Sequence, residues 1–249
     1  MKTCIIIGAG GGVSEAVARR FGSSGYRIGL VARNPNHLQA LCERLSDAGI
    51  STIWEAADAG IAEALDTALD DLLTQLGRCD VLIYNAAVLR PAGPLDLERE
   101  DLAAEMAVNV LGAHLAVRKS APGMIARKAG AILFTGGGLA FEPFPEWTSL
   151  AMGKAALRSL AISLFKHLSP SGIHVSVIAI CGIVEAGGPF DPARIAEEYW
   201  RVATAPDGVR DREVIFQPEG TDMFYNDPER KHAETSRVPD HMRQPTDPC

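Results

Sequence analysis

The chain has 249 residues, of which 47% are hydrophobic and 22% are charged, and its formal net charge is −7. These values are typical of a globular protein with a substantial core, and they exclude an intrinsically disordered chain. The negative net charge and the lack of a run of basic residues in the sequence argue against nucleic-acid binding. No segment approaches the ~20 consecutive apolar residues that a membrane helix requires, so we expect no membrane partner.

The five cysteines are scattered along the chain and form no Cys-x-x-Cys pair. We therefore expect neither a disulfide framework nor a metal site, and reduced thiols indicate a cytoplasmic protein. The opening MKTCIII carries a lysine before an apolar run, as a signal peptide would. That run ends at Gly8 and is too short for a signal sequence, so we interpret it as a buried strand.

Short apolar runs alternate with stretches of helical periodicity. The predicted strands are Thr3–Ile7, Arg27–Val31, Ser51–Glu55, Val81–Tyr84, Ala131–Thr135, His174–Ala179 and Glu213–Phe216. The predicted helices are Val13–Ser24, Pro35–Ala48, Ile61–Leu76, Arg99–Lys128, Thr148–Leu168 and Pro192–Ala203. This repetition predicts right-handed crossovers and a doubly wound, Rossmann-type α/β fold, with a parallel sheet of about seven strands in a single domain.

The composition changes near the end of the chain. After Ala203 the sequence is rich in Pro, Asp, Glu, Arg and His, and one short strand candidate interrupts it. We therefore predict a cofactor-binding domain over residues 1–217 and an irregular extension over residues 218–249. That extension is either a packed arm or a partly disordered tail.

A glycine-rich loop, GAGGGVS, lies directly between the first predicted strand and the first predicted helix. Glycines let the backbone turn tightly and approach a pyrophosphate, while the helix N-terminus offers free N–H groups to the anion. A plain strand-to-helix turn is the alternative, but the position at the first βα junction favours a dinucleotide. The predicted cofactor-binding residues of this loop are Gly8, Gly11, Gly12, Val13 and Ser14.

Arg33 and Asn34 follow the second predicted strand, where a dinucleotide-binding sheet meets the adenosine ribose. An acidic residue there favours the ribose hydroxyls of NAD, whereas arginine pairs with a 2′-phosphate. No acidic residue occurs in this segment before Glu43. A solvated surface arginine is the alternative, but we predict NADP(H) as the cofactor.

The segment TSLAMGKAALRSLAISL, residues 148–164, resembles the active-site helix of the short-chain dehydrogenase/reductase family, whose signature is Tyr-x-x-x-Lys. Lys154 matches the lysine, which in the family binds the nicotinamide ribose and lowers the pKa of the tyrosine. Leu150 stands where the tyrosine is expected. The glycine loop is similar to the family's Thr-Gly-x-x-x-Gly-x-Gly, although Ile7 and Ser14 replace its first threonine and last glycine.

Three further segments carry the resemblance, which covers about residues 1–203 in the family's order. Asp58 matches an aspartate that contacts the adenine, and Asn85, Ala86 and Ala87 resemble the Asn-Ala-Gly run that lines the cofactor cleft. Asn109 matches the catalytic asparagine, which bends its helix and holds a proton-relay water. The sequence ICGIVEAGG resembles the turn over the nicotinamide: Gly182 and Val184 fit, and Cys181 replaces a proline.

Two catalytic groups of the family are missing. Gly137 stands where a serine would hold the substrate oxygen, and Leu150 cannot donate a proton. We therefore predict an apolar site with Lys154 and Asn109 as its remaining catalytic residues. Candidates for a replacement acid are Thr148, Ser149, Glu146 and Tyr199, and the Gly136–Gly138 run offers backbone N–H groups that resemble an oxyanion nest.

Three functions stay open. The favoured one is an atypical NADP(H)-dependent oxidoreductase acting on a small apolar carbonyl, imine or enone. The second is a catalytically impaired NADP(H)-binding pseudoenzyme that serves as a sensor or partner subunit. The third is a non-redox lyase or cyclase, against which Arg33, Gly8 and Gly12 argue. The family resemblance also implies a homodimer or homotetramer formed through the helices predicted at Arg99–Lys128 and Thr148–Leu168, the first of which is rich in alanine.

Overall fold

A computed structural model describes residues 1–222 of the chain. Its strands are β1 (Thr3–Ile7), β2 (Arg27–Ala32), β3 (Thr52–Ala56), β4 (Val81–Tyr84), β5 (Gly130–Gly137), β6 (Ile173–Ile180) and β7 (Glu213–Phe216). Its α-helices are α1 (Val13–Ser23), α2 (Pro35–Asp47), α3 (Ala62–Leu76), α4 (Arg99–Met106), α5 (Gly112–Arg127), α6 (Thr148–Leu168) and α7 (Pro192–Ala203). All predicted elements are present within about two residues, except the long helix at Arg99–Lys128.

The seven strands form one sheet in the order β3-β2-β1-β4-β5-β6-β7, and every neighbouring pair is parallel. The strand order reverses between β1 and β4, which leaves a crevice at the carboxyl ends of these two strands. The predicted doubly wound α/β fold is thus confirmed. Ligands of such sheets bind at this reversal.

Two apolar clusters cover the two faces of the sheet. One packs α3, α5 and α6 against the sheet and includes Leu69, Phe134 and Leu157. The other packs α1, α2 and α7 against the opposite face and includes Phe21 and Tyr199. Because helices cover both faces, strands such as β1 are buried along their whole length, which accounts for their continuous apolar sequences.

The helix predicted at Arg99–Lys128 is interrupted by a π-helical turn over Ala107–Leu111. Tyr84, at the end of β4, donates a hydrogen bond from its hydroxyl to the carbonyl oxygen of Val108 within that turn. Gly112 gives Tyr84 room, since a Cβ atom at Gly112 would lie 2.5 Å from the Tyr84 hydroxyl oxygen. This tertiary contact favours the wider turn, and the turn contains Asn109, the residue at which the family resemblance implied a bend in the helix.

Most of the predicted extension, residues 223–249, lies outside the described residues. The division at residue 217 therefore stays a prediction.

Within residues 1–222, no helix combines the length and the apolar composition needed to span a membrane. No group of metal-ligating side chains occurs in this same part of the chain.

Candidate functional site

The predicted site residues follow the carboxyl ends of β1, β2, β3, β4 and β6, or lie on the helices beside them. They therefore line the edge of the sheet that contains the β1/β4 crevice. They are Gly8, Gly11, Gly12, Val13, Ser14, Arg33, Asn34, Asp58, Asn85, Ala86, Ala87, Asn109, Lys154, Gly182 and Val184.

The glycine loop turns tightly over the end of β4. Gly8 has a φ of +85°, and a Cβ atom there would lie 2.3 Å from the backbone nitrogen of Ala86, so only glycine fits. Gly12 has a φ of +84° and is the N-cap residue of α1, where no side chain accepts a hydrogen bond from the first turn of the helix. No other atom lies within 4 Å of a Cβ built on Gly11 or Gly12. The N-terminus of α1 is therefore open to an approaching anion.

Ser14 is buried beneath this loop. Its hydroxyl donates to the carbonyl oxygen of Gly8 at 2.8 Å. The side-chain amide of Asn85 donates to the same carbonyl at 3.1 Å and to the Ser14 hydroxyl at 2.8 Å. Ser14, which stands where the family resemblance implies a glycine, thus adds a hydrogen bond under the loop and leaves its outer side open.

Arg33 lies exposed just beyond β2, and no carboxylate among residues 1–222 pairs with it. Its guanidinium is available to an anionic ligand. Asn34 instead uses its side-chain oxygen to accept from the backbone N–H groups of Asn36 and His37, at 2.9 and 3.2 Å, which caps α2. Asp58, after β3, similarly accepts from the backbone N–H of Gly60 at 2.8 Å. Neither side chain contacts the glycine loop through a hydrogen bond.

Lys154 is held next to the end of β5. Its ammonium group donates to the carbonyl oxygen of Thr135 at 2.7 Å. A Cβ atom at Gly137 would lie 3.8 Å from Cγ of Lys154, which is ordinary van der Waals contact. Leu150 lies one helical turn before Lys154 and is 7% exposed. Removal from water lowers the pKa of Lys154 to about 8.

Asn109 lies in the π-helical turn, where its side-chain oxygen accepts from the backbone N–H of Val88 at 2.8 Å. Its amide nitrogen is buried and has no hydrogen-bond partner among the described residues. Gly153 permits this close packing, because a Cβ atom there would lie 2.9 Å from that nitrogen. Asn109 therefore packs directly against Gly153 of α6, the residue that precedes Lys154.

The loop after β6 lies beside the end of β5, at the same edge of the sheet as the crevice. A Cβ atom at Gly182 would lie 2.1 Å from the ring of Phe190, so this position requires glycine. Val184, two residues on, is exposed. Cys181 lies against the end of β5, since a Cβ atom at Gly138 would lie 3.6 Å from its sulfur atom. Burial raises the pKa of this thiol to about 11.

The candidate replacement acids do not converge on Lys154. The hydroxyl of Thr148 donates to the carbonyl oxygen of Pro145 at 2.7 Å, Ser149 is buried, and Glu146 is exposed. Tyr199 is 0% exposed and lies in the apolar cluster on the opposite face of the sheet from α6. Gly137 also has an extended backbone, with φ −172° and ψ 159°. Successive N–H groups in extended chain point to opposite sides, so the expected nest does not form.

Sequence reasoning missed the role of Tyr199. Its hydroxyl oxygen lies 2.6 Å from Oγ1 of Thr135, which donates in turn to the side-chain oxygen of Asn85 at 2.8 Å. One signal was present: Tyr199 lies on the apolar face of α7 with Ile195 and Val202, and a buried tyrosine hydroxyl requires a polar partner.

Comparisons with known proteins agree with this architecture. A family model described as short chain dehydrogenase matches residues 2–188. A short chain dehydrogenase of Pseudocercospora fijiensis is 32% identical over 203 residues, which cover 80% of this chain and 65% of that protein. The chain thus spans slightly less than two thirds of that relative. The oxidoreductase UcpA of Escherichia coli is 30% identical over 210 residues, which cover 79% of this chain and 78% of that protein.

Among solved structures, a metagenomic short-chain oxidoreductase in complex with NADP is 31% identical to this chain. The two superpose with a TM-score of 0.80, over 87% of this chain and 97% of that one. A short-chain dehydrogenase/reductase from Serratia marcescens is 25% identical, with a TM-score of 0.77, over 86% of this chain and 95% of that one.

Proposed function

The chain belongs to the short-chain dehydrogenase family, and we propose that within it the protein is an NADP(H)-dependent oxidoreductase for a small apolar carbonyl, imine or enone. One observation carries the proposal: the open glycine loop and the Lys154 ammonium lie at the same edge of the sheet. The loop has the free backbone that a pyrophosphate requires, and the ammonium provides a positive charge one helical turn from the buried Leu150.

The residues present fit a dinucleotide with a 2′-phosphate. The vacant space beside Gly12 admits a diphosphate next to the α1 N-terminus, and Arg33 would pair with the additional phosphate. Asp58, Asn85 and the two alanines after it would line the adenosine and ribose side of the cleft. When bound, the nicotinamide supplies the hydride chemistry. The NADP complex of the metagenomic neighbour supports this choice of cofactor.

We further assign Leu150 and Gly137 to the positions of the family's tyrosine and serine. The substrate pocket is then apolar, because Leu150 replaces the proton donor and Gly137 leaves no hydroxyl for the substrate oxygen. For a conjugated carbonyl, hydride addition at the β-carbon would leave an enolate, whose negative charge Lys154 would stabilise and whose oxygen it would protonate; its lowered pKa of about 8 makes that proton easier to give up. For a neutral imine, Lys154 would give its proton to the imine nitrogen, so that hydride addition yields a neutral amine and no acid is required at the family's tyrosine position.

A panel of apolar ketones, enones and cyclic imines, assayed by NADPH consumption, tests this function. We expect turnover of an enone or imine by the wild-type protein and loss of that turnover in Lys154→Met. A Gly137→Ser/Leu150→Tyr variant should gain ketone reduction by about 100-fold or more, the usual contribution of a general acid. The serine fits, because position 137 has room for a Cβ atom. Turnover that is unchanged in Lys154→Met would contradict the mechanism.

A second candidate, a cofactor-binding subunit without turnover, is supported by the burial of Leu150 and by the absence of an acid group near Lys154 among the described residues. It predicts tight NADPH binding and no NADPH consumption with any member of the panel. Steady turnover of one substrate by the purified protein would reject it.

A further inference from the structure

A chain of buried and partly buried hydrogen bonds runs along one face of the sheet from α7 to the glycine loop. It begins at the Tyr199 hydroxyl, passes through the side chains of Thr135 and Asn85, and ends at Ser14 and the carbonyl oxygen of Gly8. Its five hydrogen bonds span 2.6 to 3.1 Å. We call this chain the relay. It lies on the face of the sheet covered by α1 and α7, and Lys154 and Asn109 lie on the other face.

The direction of each bond in the relay follows from the donors available. The single hydroxyl hydrogen of Thr135 is given to the oxygen of the Asn85 amide, so Tyr199 must donate to Thr135. Burial raises the pKa of Tyr199, which keeps this hydroxyl protonated and able to donate. The two amide hydrogens of Asn85 then go to Gly8 and Ser14, and the Ser14 hydroxyl also donates to Gly8. Every hydrogen of the relay thus has an acceptor.

The orientation of the Asn85 amide decides whether the glycine loop is supported. If the amide rotated by half a turn, its oxygen would face the carbonyl oxygen of Gly8, and two acceptors would repel each other. Thr135 prevents this rotation because it offers a donor on the opposite side of the amide. Tyr199 holds Thr135 in turn, since its hydroxyl occupies the acceptor position of the threonine oxygen.

We propose that Tyr199 and Thr135 are positioning residues that, through Asn85, set the conformation of the glycine loop and couple helix α7 to it. The inference deepens the proposed function and rests on it, because the loop is the proposed site of the cofactor diphosphate. A fully satisfied buried network rigidifies its members, and a loop already held in its binding conformation loses less entropy on binding. The loop after β6, which leads into α7, is thereby tied to the cofactor end of the site.

The experiment compares Tyr199→Phe, Thr135→Val and Thr135→Ser with the wild-type protein. We measure amide hydrogen exchange of residues 8–14 without cofactor and the Kd for NADPH. We expect Thr135→Val to raise the Kd by about tenfold and Tyr199→Phe by about threefold, with faster exchange in the loop in both. Thr135→Ser keeps the hydroxyl and should remain within about twofold of wild type. The double variant should match Thr135→Val alone, because both substitutions break one relay.

Tyr26→Phe is the matched control. Tyr26 is a second buried tyrosine on the same face of the sheet, where it packs against the rings of Phe21 and Trp200 outside the relay. Its substitution should leave both the loop exchange and the Kd unchanged. Exchange in residues 8–14 that is the same in Thr135→Val and in wild type would overturn the inference. Faster exchange in a protein that binds no NADPH would uphold the relay and reject the proposed function.

Discussion

Gly12 and Gly25 have the same φ angle in two different surroundings. Both have a φ of +84°, and apart from the glycine itself and its chain neighbours no atom lies within 4 Å of a Cβ built on either. Gly12 opens α1 at the candidate site, whereas Gly25 lies in the turn before β2. Alanine at either position should lower the free energy of unfolding by about 1–2 kcal/mol, because a Cβ atom strains this conformation.

Only Gly12→Ala should also weaken NADPH binding, by about tenfold or more, because its methyl group occupies the space proposed for the diphosphate. Thermal unfolding of the two variants measures the effect of backbone strain on stability, and NADPH titration measures whether the added methyl group excludes the ligand. Equal NADPH affinity in Gly12→Ala and Gly25→Ala would show that the open side of the loop is not a phosphate site.

The lowered pKa of Lys154 predicts how cofactor affinity changes with pH. Below about pH 8 the group is a cation that attracts an anionic dinucleotide, and above this pH it becomes neutral. The Kd for NADPH should therefore rise as the pH increases from 7 to 9, by up to about tenfold if only the cation binds. Lys154→Arg keeps its charge in this range and should give a flat profile. A wild-type profile that is equally flat would contradict the assignment.

At the scale of single residues, the sequence supports a proposal about which residues stand at the family's tyrosine and serine positions, but it does not indicate what would replace their hydroxyl groups. The proposal for Leu150 rests on its spacing to Lys154 within the regular helix α6, and the proposal for Gly137 rests on its place at the end of β5. The relay could not be predicted, because Tyr199 and Thr135 are 64 residues apart and meet only through the sheet.

Among the elements, α6 packs against the π-helical turn through a glycine. A Cβ atom at Gly153 would lie 2.8 Å from Cβ of Asn109, and neither backbone can withdraw easily. Gly153→Ala should lower the free energy of unfolding by about 1–3 kcal/mol through overpacking. It should also displace Asn109, which packs against position 153.

Gly123→Ala, within α5, is the matched substitution, since its methyl group would meet only the end of the Arg127 side chain, at 3.2 Å. Alanine there should raise the free energy of unfolding by about 0.5–1 kcal/mol through helix propensity. Chemical denaturation measures both variants. A stabilising effect of Gly153→Ala would mean that α6 and the π-helical turn are not in close contact.

Element bounds followed the hydrophobic periodicity closely where helices and strands are regular. β5 is the exception at its end, since it continues through Gly136 and Gly137, which pair with Ala179 and Ile180 of β6. Gly136 is required by the packing of β5, because a Cβ atom there would lie 2.7 Å from the side chain of Val177, whereas position 137 has room for a Cβ atom. Such tertiary packing overrides the turn preference of glycine.

The whole molecule is proposed to be a homodimer or homotetramer that pairs through α4–α5 and α6. Leu111 and Met152 are 63% and 45% exposed on these elements, although both are apolar. Light scattering should therefore give a dimer or tetramer for the wild-type protein and a monomer for Leu111→Glu/Met152→Glu. Val209→Glu, at another exposed apolar residue, should keep the oligomer. A monomeric wild-type protein would contradict this assembly.

The topology of residues 1–222 was predictable because alternating strands and helices allow few arrangements of a parallel sheet. The identity of the substrate was not, because the residues that line its pocket come from loops whose packing depends on the complete fold. The proposed division at residue 217 likewise depends on a segment that extends beyond the described residues.

The most direct test of the central claim is a fluorescence titration of the purified protein with NADPH and NADH, repeated with Arg33→Ala. The account predicts micromolar binding of NADPH, NADH binding weaker by about tenfold or more, and loss of this preference in the variant. Equal affinity for both cofactors would contradict the role of Arg33. Binding of neither cofactor would show that the glycine loop is only part of the scaffold, and it would contradict the proposed oxidoreductase function.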